Sequence, residues 1–155
     1  MFKNTPIESI VIYCDVVGDS AFVGCDKLVS VEFKNNLTHL GDEAFNGCKA
    51  LTSVVFDKGC ESIGYSAFYQ CEKLEELTLP AGEVVIGDYA FAESGLKVLK
   101  LAATTVIANI GISAFEGVNS SFAVNVDATD KYVKNDGVVY TADGKAKPHG
   151  QVFAL

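Results

Sequence analysis

Hydrophobic positions along the chain return on a long period. The dipeptide Ala-Phe places Phe22, Phe45, Phe68, Phe91 and Phe115 at spacings of 23, 23, 23 and 24 residues, with the same neighbours around each ring. One copy runs Leu40-Gly41-Asp42-Glu43-Ala44-Phe45-Asn46-Gly47-Cys48, then Leu51, Val54 and Phe56. The next has Ile63-Gly64, Ala67-Phe68, Cys71, Leu74, Leu77 and Leu79. Self-similarity at a fixed period means one small unit stacked on its own copies. A pair of helices does not fit in 23 residues, so each turn is predicted to hold one short strand and one return segment. The strand is the L-x-L piece: Val31/Phe33, Val54/Phe56, Leu77/Leu79, Leu99/Leu101 and Val124/Val126 point inward with period two. Successive turns should pair there as one parallel sheet of about five strands, with the five rings stacked inside and little helix. The glycine ahead of each Ala-Phe (Gly18, Gly41, Gly64, Gly87, Gly111) suits a bend or a close backbone approach that a Cβ would obstruct.

A period of this length with this leucine spacing is that of leucine-rich repeats, which predicts a right-handed leucine-rich-repeat solenoid, mainly β. The Ile-Gly-x-x-Ala-Phe-x-x-Cys-x-x-Leu pattern, over about residues 13 to 126, resembles the BspA-like (Treponema pallidum type) leucine-rich repeats of bacterial and protist surface proteins. The tail, Tyr132 to Lys145, resembles the closing β-hairpin common in that family. Its turn signals Asp136-Gly137 and Asp143-Gly144 flank Val138-Val139-Tyr140, as a strand between tight turns would require. The expectation is one domain over 1–155, with repeats over 7–126 and a hairpin cap over 127–155. The resemblance implies attachment, adhesion or host-protein binding at a cell surface, and no catalytic residues.

Departures from the pattern mark the less regular end. Turn four has Ser94-Gly95-Leu96 where Cys-x-x-Leu would stand, one residue short, while Leu101 to Ile110 is two residues longer than Leu79 to Ile86. Turn five has Val118 for Cys and Ser121 for Leu. Terminal repeats are commonly atypical.

With 155 residues, 49% of them hydrophobic, the chain can bury a real core. Twenty acidic against 12 basic residues give a net charge of −8, which argues against nucleic acid or anionic lipid as partner. No apolar run approaches the roughly 20 residues of a membrane helix, so membrane insertion is not expected. The opening MFKNTPIESI has neither a basic n-region nor an apolar h-region, so surface display or secretion rests on the resemblance alone and a cytoplasmic place stays open.

Cys25, Cys48 and Cys71 occupy one slot of three successive turns, and Cys14 and Cys60 share a second slot with Leu37. Side-chain vectors from parallel strands run side by side, a poor approach for a disulfide, so the column reads as buried, reduced thiols. Leu37 marks the second slot as apolar too. Without paired cysteines at short spacing no zinc ribbon is expected, and His39 and His149 have no partners at a triad or metal spacing. No metal, cofactor or catalytic residue is therefore assigned. What remains is the outward face of the L-x-L sheet. Its columns read Ser30, Ser53, Glu76, Val98 and Ala123, then Glu32, Val55, Thr78, Lys100 and Asn125. Core slots repeat while these do not. The candidate protein-binding residues are Ser30, Glu32, Ser53, Val55, Glu76, Thr78, Val98 and Lys100, in a non-catalytic interaction or adhesion module; the alternative is a structural spacer of a longer repeat protein. Ile10, Ile12 and Cys14 enter a turn with no polar capping repeat ahead of them, which predicts self-association through the N-terminal edge.

Overall fold

A computed structural model describes residues 1–102, 104–126, 130–135 and 138–140. Each turn makes two strands. β1 (Ser9–Ile12) and β2 (Val16–Val17) form the first pair, β3 (Ser30–Phe33) and β4 (His39–Leu40) the second, β5 (Ser53–Phe56) and β6 (Ser62–Ile63) the third. β7 (Glu76–Leu79) with β8 (Gly82–Ile86), then β9 (Val98–Leu101) with β10 (Thr105–Ile110), continue the stack into β11 (Ala123–Val126). The last two strands among the described residues are β12 (Asp130–Asn135) and β13 (Val138–Tyr140). No helix occurs among the described residues. The chain is a parallel β-solenoid of leucine-rich-repeat type, as the period predicts.

The sheets differ from the single one expected. The L-x-L strands number six, because β1 joins through Ile10↔Val31 and Ile12↔Phe33. They form two ladders, β1-β3-β5 and β7-β9-β11; β5 and β7 lie side by side without ladder bonds. A second parallel sheet, β2-β4-β6-β8-β10, runs along the return segments. Its strands pair through positions such as Val17↔Leu40, Leu40↔Ile63 and Ile63↔Ile86. Most are two residues long, too short for an alternation to register as a period in sequence. Beyond β11 the pairing turns antiparallel, β11 to β12 and β12 to β13. The turn Asp136-Gly137 and everything from residue 141, with Asp143-Gly144 and His149, lie outside the described residues.

The core is a ladder of rings. Neighbours from Phe22 to Phe115 stack at 4.9, 5.5, 5.4 and 5.4 Å with planes within 9° of each other. The ladder extends to Phe122 on one side and to Phe2 on the other, at 5.3 Å from Phe22. Phe2 was not anticipated, since no alanine precedes it and it stands 20 residues from Phe22 rather than 23. The geometry identifies it as the same element. The Phe2 and Asn4 amides donate to Ala21 and Val23, as the Phe22 and Gly24 amides donate to Ala44 and Asn46. Asn4 also takes the positive φ that Gly24 takes. Residues 2–5 thus cover part of the first ring layer, so the N-terminal edge is less open than expected, with Ile12 buried and Ile10 half-buried.

The glycine column is a seat for the preceding turn. A Cβ on Gly41, Gly64, Gly87 or Gly111 would stand 2.2 to 2.9 Å from backbone atoms of that turn. Beside it runs a column the sequence reading passed over. Oδ1 of Asp19 accepts the Asp42 amide at 2.9 Å, Asp42 accepts that of Tyr65 at 2.8 Å and Asp88 that of Ile112 at 2.7 Å. Each carboxylate bonds a bend amide that the parallel ladder leaves without a carbonyl, which explains why aspartate recurs after the glycine.

The irregular turn is absorbed locally. Gly95 replaces a wider loop by passing so close to Glu72 that a Cβ would meet the Glu72 carbonyl oxygen at 2.1 Å. The extra length returns in β10, where register against β8 shifts between Ile107 and Asn109, leaving Ala108 unpaired in a bulge.

Candidate binding surfaces

The outer face of the L-x-L strands carries the residues chosen from sequence. In β3, β5, β7 and β9 the inward positions are buried except for half-buried Phe56, and the outward ones are exposed or half-buried. The register aligns them in two rows. Ser9, Ser30, Ser53 stand beside Glu76, Val98, Ala123; Val11, Glu32, Val55 stand beside Thr78, Lys100, Asn125. Ser9 and Val11 extend both rows by a strand that the sequence reading left out. Ala123 departs from expectation: it is buried, because its methyl is too short to emerge between β9 and β12 on either side.

Charge on this face is largely paired within the molecule. Lys34 bridges Glu32 and, at 2.9 Å, Asp57; both carboxylates, Glu32 foremost, hold its ammonium charged above its usual range. Lys100 meets Glu76 at 2.5 Å and Lys97 meets Glu75 at 2.6 Å. Exposed pairs of this kind add little to stability, yet they leave few charges free for a partner.

The thiol column is a hydrogen-bonded ladder. The Cys25, Cys48 and Cys71 thiols donate to the carbonyls of Phe2, Phe22 and Phe45, at 3.0, 3.2 and 3.3 Å. All three are buried and free, as is Cys60. Cys14, expected in an apolar slot with Leu37 and Cys60, is exposed instead, because it lies outside the paired residues of β1 and β2. Burial pushes the Cys48 and Cys60 thiols from 9.0 up to about 12, and the Cys71 thiol in the same direction. Two results are expected. Cys14 alone should react fast with a thiol reagent in the native protein, the other four only on unfolding; fast labelling of all five would contradict the buried column. Stability should fall as pH rises from about 9 towards about 12, because the unfolded chain releases protons that the buried thiols retain, an effect absent below the unfolded value and readable in urea midpoints.

His39 is exposed, with Nδ1 2.8 Å from the Ser62 hydroxyl, which donates in turn to the Thr38 carbonyl. This arrangement holds neighbouring turns of the second sheet together and contains no nucleophile with a base and an orienting acid. Among the described residues no three side chains of His, Cys, Asp or Glu are grouped to hold a metal ion, and no helix is long and apolar enough to cross a membrane. The second sheet presents an outward row that sequence reasoning missed: Val16, His39, Ser62, Val85 and Asn109. Beside it lies a groove of about 500 Å³ lined by Asn36, Cys60, Glu61, Gly82, Glu83 and Val85 among others.

Comparison with known proteins agrees with this architecture. Residues 1–128 match the BspA type leucine rich repeat region in six copies. Among solved structures the chain is similar to a leucine rich repeat protein of T. pallidum, with 28% identity and a TM-score of 0.67 over 76% of this chain and 57% of that one. It shares its fold with a leucine-rich repeat protein from Bacteroides ovatus, at 22% identity and TM-score 0.59, over 81% of this chain and 43% of that one. A leucine rich cell surface protein from Faecalibacterium prausnitzii, at 23% identity and TM-score 0.50, aligns with 89% of this chain and 44% of its own length. The chain thus spans little more than half of the T. pallidum protein and less than half of the other two. No curated protein matches it.

Proposed function

Because the chain belongs to the BspA-type leucine-rich repeat family, we propose that it serves as a non-catalytic protein-interaction module that presents the outer face of its L-x-L strands. The observation that carries this reading is the contrast between columns. Inward slots repeat apolar residues from turn to turn, while the outward row Val11, Glu32, Val55, Thr78, Lys100 and Asn125 changes its chemistry from strand to strand and keeps register within each ladder. Such rows give a flat, extended surface whose residues are free of packing constraints. A role in adhesion at a cell surface is the specific form of the proposal. It draws on the resemblance and on a similar structure described as a cell surface protein. The binding residues assigned are Ser30, Glu32, Ser53, Val55, Glu76, Thr78, Val98 and Lys100, within one domain that spans 1–155.

The internal ion pairs favour a second reading, a spacer within a longer array, because a face whose charges already satisfy one another offers little to a partner. The two readings separate on one experiment. Val55→Asp with Lys100→Glu replaces an exposed apolar contact and breaks the Glu76 pair without touching the core. Binding to a protein partner captured by the wild-type chain should weaken by about tenfold or more. Undiminished binding removes this face as the recognition surface and leaves the spacer. Light scattering on the same samples tests self-association, with a mass above that of one chain as the expected result.

A further inference from the structure

The second sheet differs from the first in what it leaves open. Val16, Val106 and Ile112 are more than half exposed, and Val85 and Tyr65 are exposed as well, all on the flank formed by the second sheet and its bend. Tyr65 packs edge-on against Tyr89, ring centroids 6.0 Å apart. Tyr89 is held at φ 54, in a slot that Ser20, Glu43, Ser66 and Ser113 occupy in the other turns. A bulky side chain in the left-handed region is an outlier, and such strain persists only where the surrounding structure imposes it.

Charge on this flank is one-sided. The segments 15–19, 36–43, 59–66, 81–89 and 104–113 contain seven carboxylates and no lysine, and the chain has no arginine; the nearest cation in sequence is Lys58, just ahead of the flank. All five ion pairs among the described residues use Lys34, Lys49, Lys97 or Lys100, none of them in these segments. The carboxylates that have partners here accept from amides, as Asp42 does from Tyr65 and Glu61 from the Asn36 side chain at 3.0 Å. Their negative charge is hydrogen-bonded but not neutralised. The groove lined by Glu61, Glu83 and Val85 opens on this same flank.

We infer that this flank, rather than the L-x-L face alone, docks a lysine- or arginine-bearing aliphatic segment of a partner protein. The inference rests on the interaction-module reading and places a contact on a different surface. Aliphatic side chains of the segment cover Val16, Val85 and Val106. A cationic side chain lies with its stem on Val85 and its charge towards Glu61 and Glu83, as long basic side chains do at apolar surfaces. Opposite charge sets both encounter rate and partner choice, while the apolar row supplies the burial.

The test uses a fluorescein-labelled peptide alternating lysine and valine, about six residues long, since about 3.3 Å per residue matches five strands about 4.8 Å apart. A glutamate-valine peptide is the control. Anisotropy titrations of the wild-type chain should show binding of the lysine peptide, weakened by salt, and none of the control. Val85→Ser with Val106→Ser should weaken binding about fivefold or more, and Glu61→Lys with Glu83→Lys should abolish it. No binding of the lysine peptide, binding of both peptides alike, or wild-type affinity in the valine pair would overturn the inference, the last by reducing the effect to general attraction towards an acidic chain. If the valine pair lowers the melting temperature, Val106→Ser alone decides, being the more exposed of the two. The assay needs no natural partner and leaves the L-x-L face intact, so its failure removes the flank and not the interaction-module reading.

Discussion

Phe68→Ala should lower the unfolding free energy by about 3 to 5 kcal/mol, the range for deleting a buried phenylalanine that leaves a cavity. The ring is fully buried, 5.5 Å from Phe45 and 5.4 Å from Phe91, with both planes within 6° of its own. Collapse around the hole is opposed on every side. The Phe68 amide donates to the Ala90 carbonyl at 2.7 Å, and the Cys71 amide to the Phe68 carbonyl at 3.3 Å, so the backbone is fixed by the turn after it and by its own bend. The rings above and below are fixed in the same way. Urea denaturation reads the change directly. A loss below about 1 kcal/mol, the ordinary size for an arbitrary substitution, would mean that the ring column is not the main support of the stack.

Gly64→Ala should be destabilising by about 1 to 3 kcal/mol through overpacking rather than a cavity. Its φ is not in the left-handed region, so backbone strain is not the reason; space is. The added methyl would stand 2.6 Å from Oδ1 of Asp42 and 2.8 Å from the Asp42 nitrogen and the Gly41 carbonyl carbon. Two of those atoms are backbone of the preceding turn, and moving them disturbs the Asp42 carboxylate that receives the Tyr65 amide. The same slot supplies its own control. Nothing lies within 4 Å of a Cβ on Gly18, so Gly18→Ala should be neutral, or stabilising by about 0.4 to 1 kcal/mol through the unfolded chain. Equal effects at the two positions would refute the close-approach account of the glycine column.

Residues that act through bulk or through its absence were legible in the sequence. Phe22 to Phe115 and Gly64 each occupy a slot filled by one residue type from Phe22 onward, and Leu77/Leu79 occupy slots that stay apolar, so chemistry and period coincide. Strands such as Ser62–Ile63 were not legible, because two residues carry no period and their pairing depends on a neighbour 23 residues away. Phe2 escaped because the one-off spacing of 20 hid a copy that lacks its alanine. Ala123 and Cys14 failed for the opposite reason: slot membership was right, but exposure depends on side-chain length or on where pairing stops. The candidate surfaces were half legible. Alternation fixes which side chains of β3, β5, β7 and β9 face out, and only the fold shows that Glu76 and Lys100 satisfy each other and that Val85, Val106 and Tyr65 share a flank.

The bulge at Ala108 shows where the stack keeps its slack. Paired residues are 22 apart between β7 and β9, 23 at the start of β8 and β10, and 24 beyond the bulge, yet Phe115 still lies 5.4 Å from Phe91. A length error of one or two residues is thus taken up within a single lap of the chain and is not passed to the next. From Phe22 onward every lap also offers its successor a seat of glycine and ring, joined by an aspartate at Asp19, Asp42 and Asp88. A gene encoding such a molecule can be copied in whole laps without inventing a contact, and can slip by single codons without losing its thread.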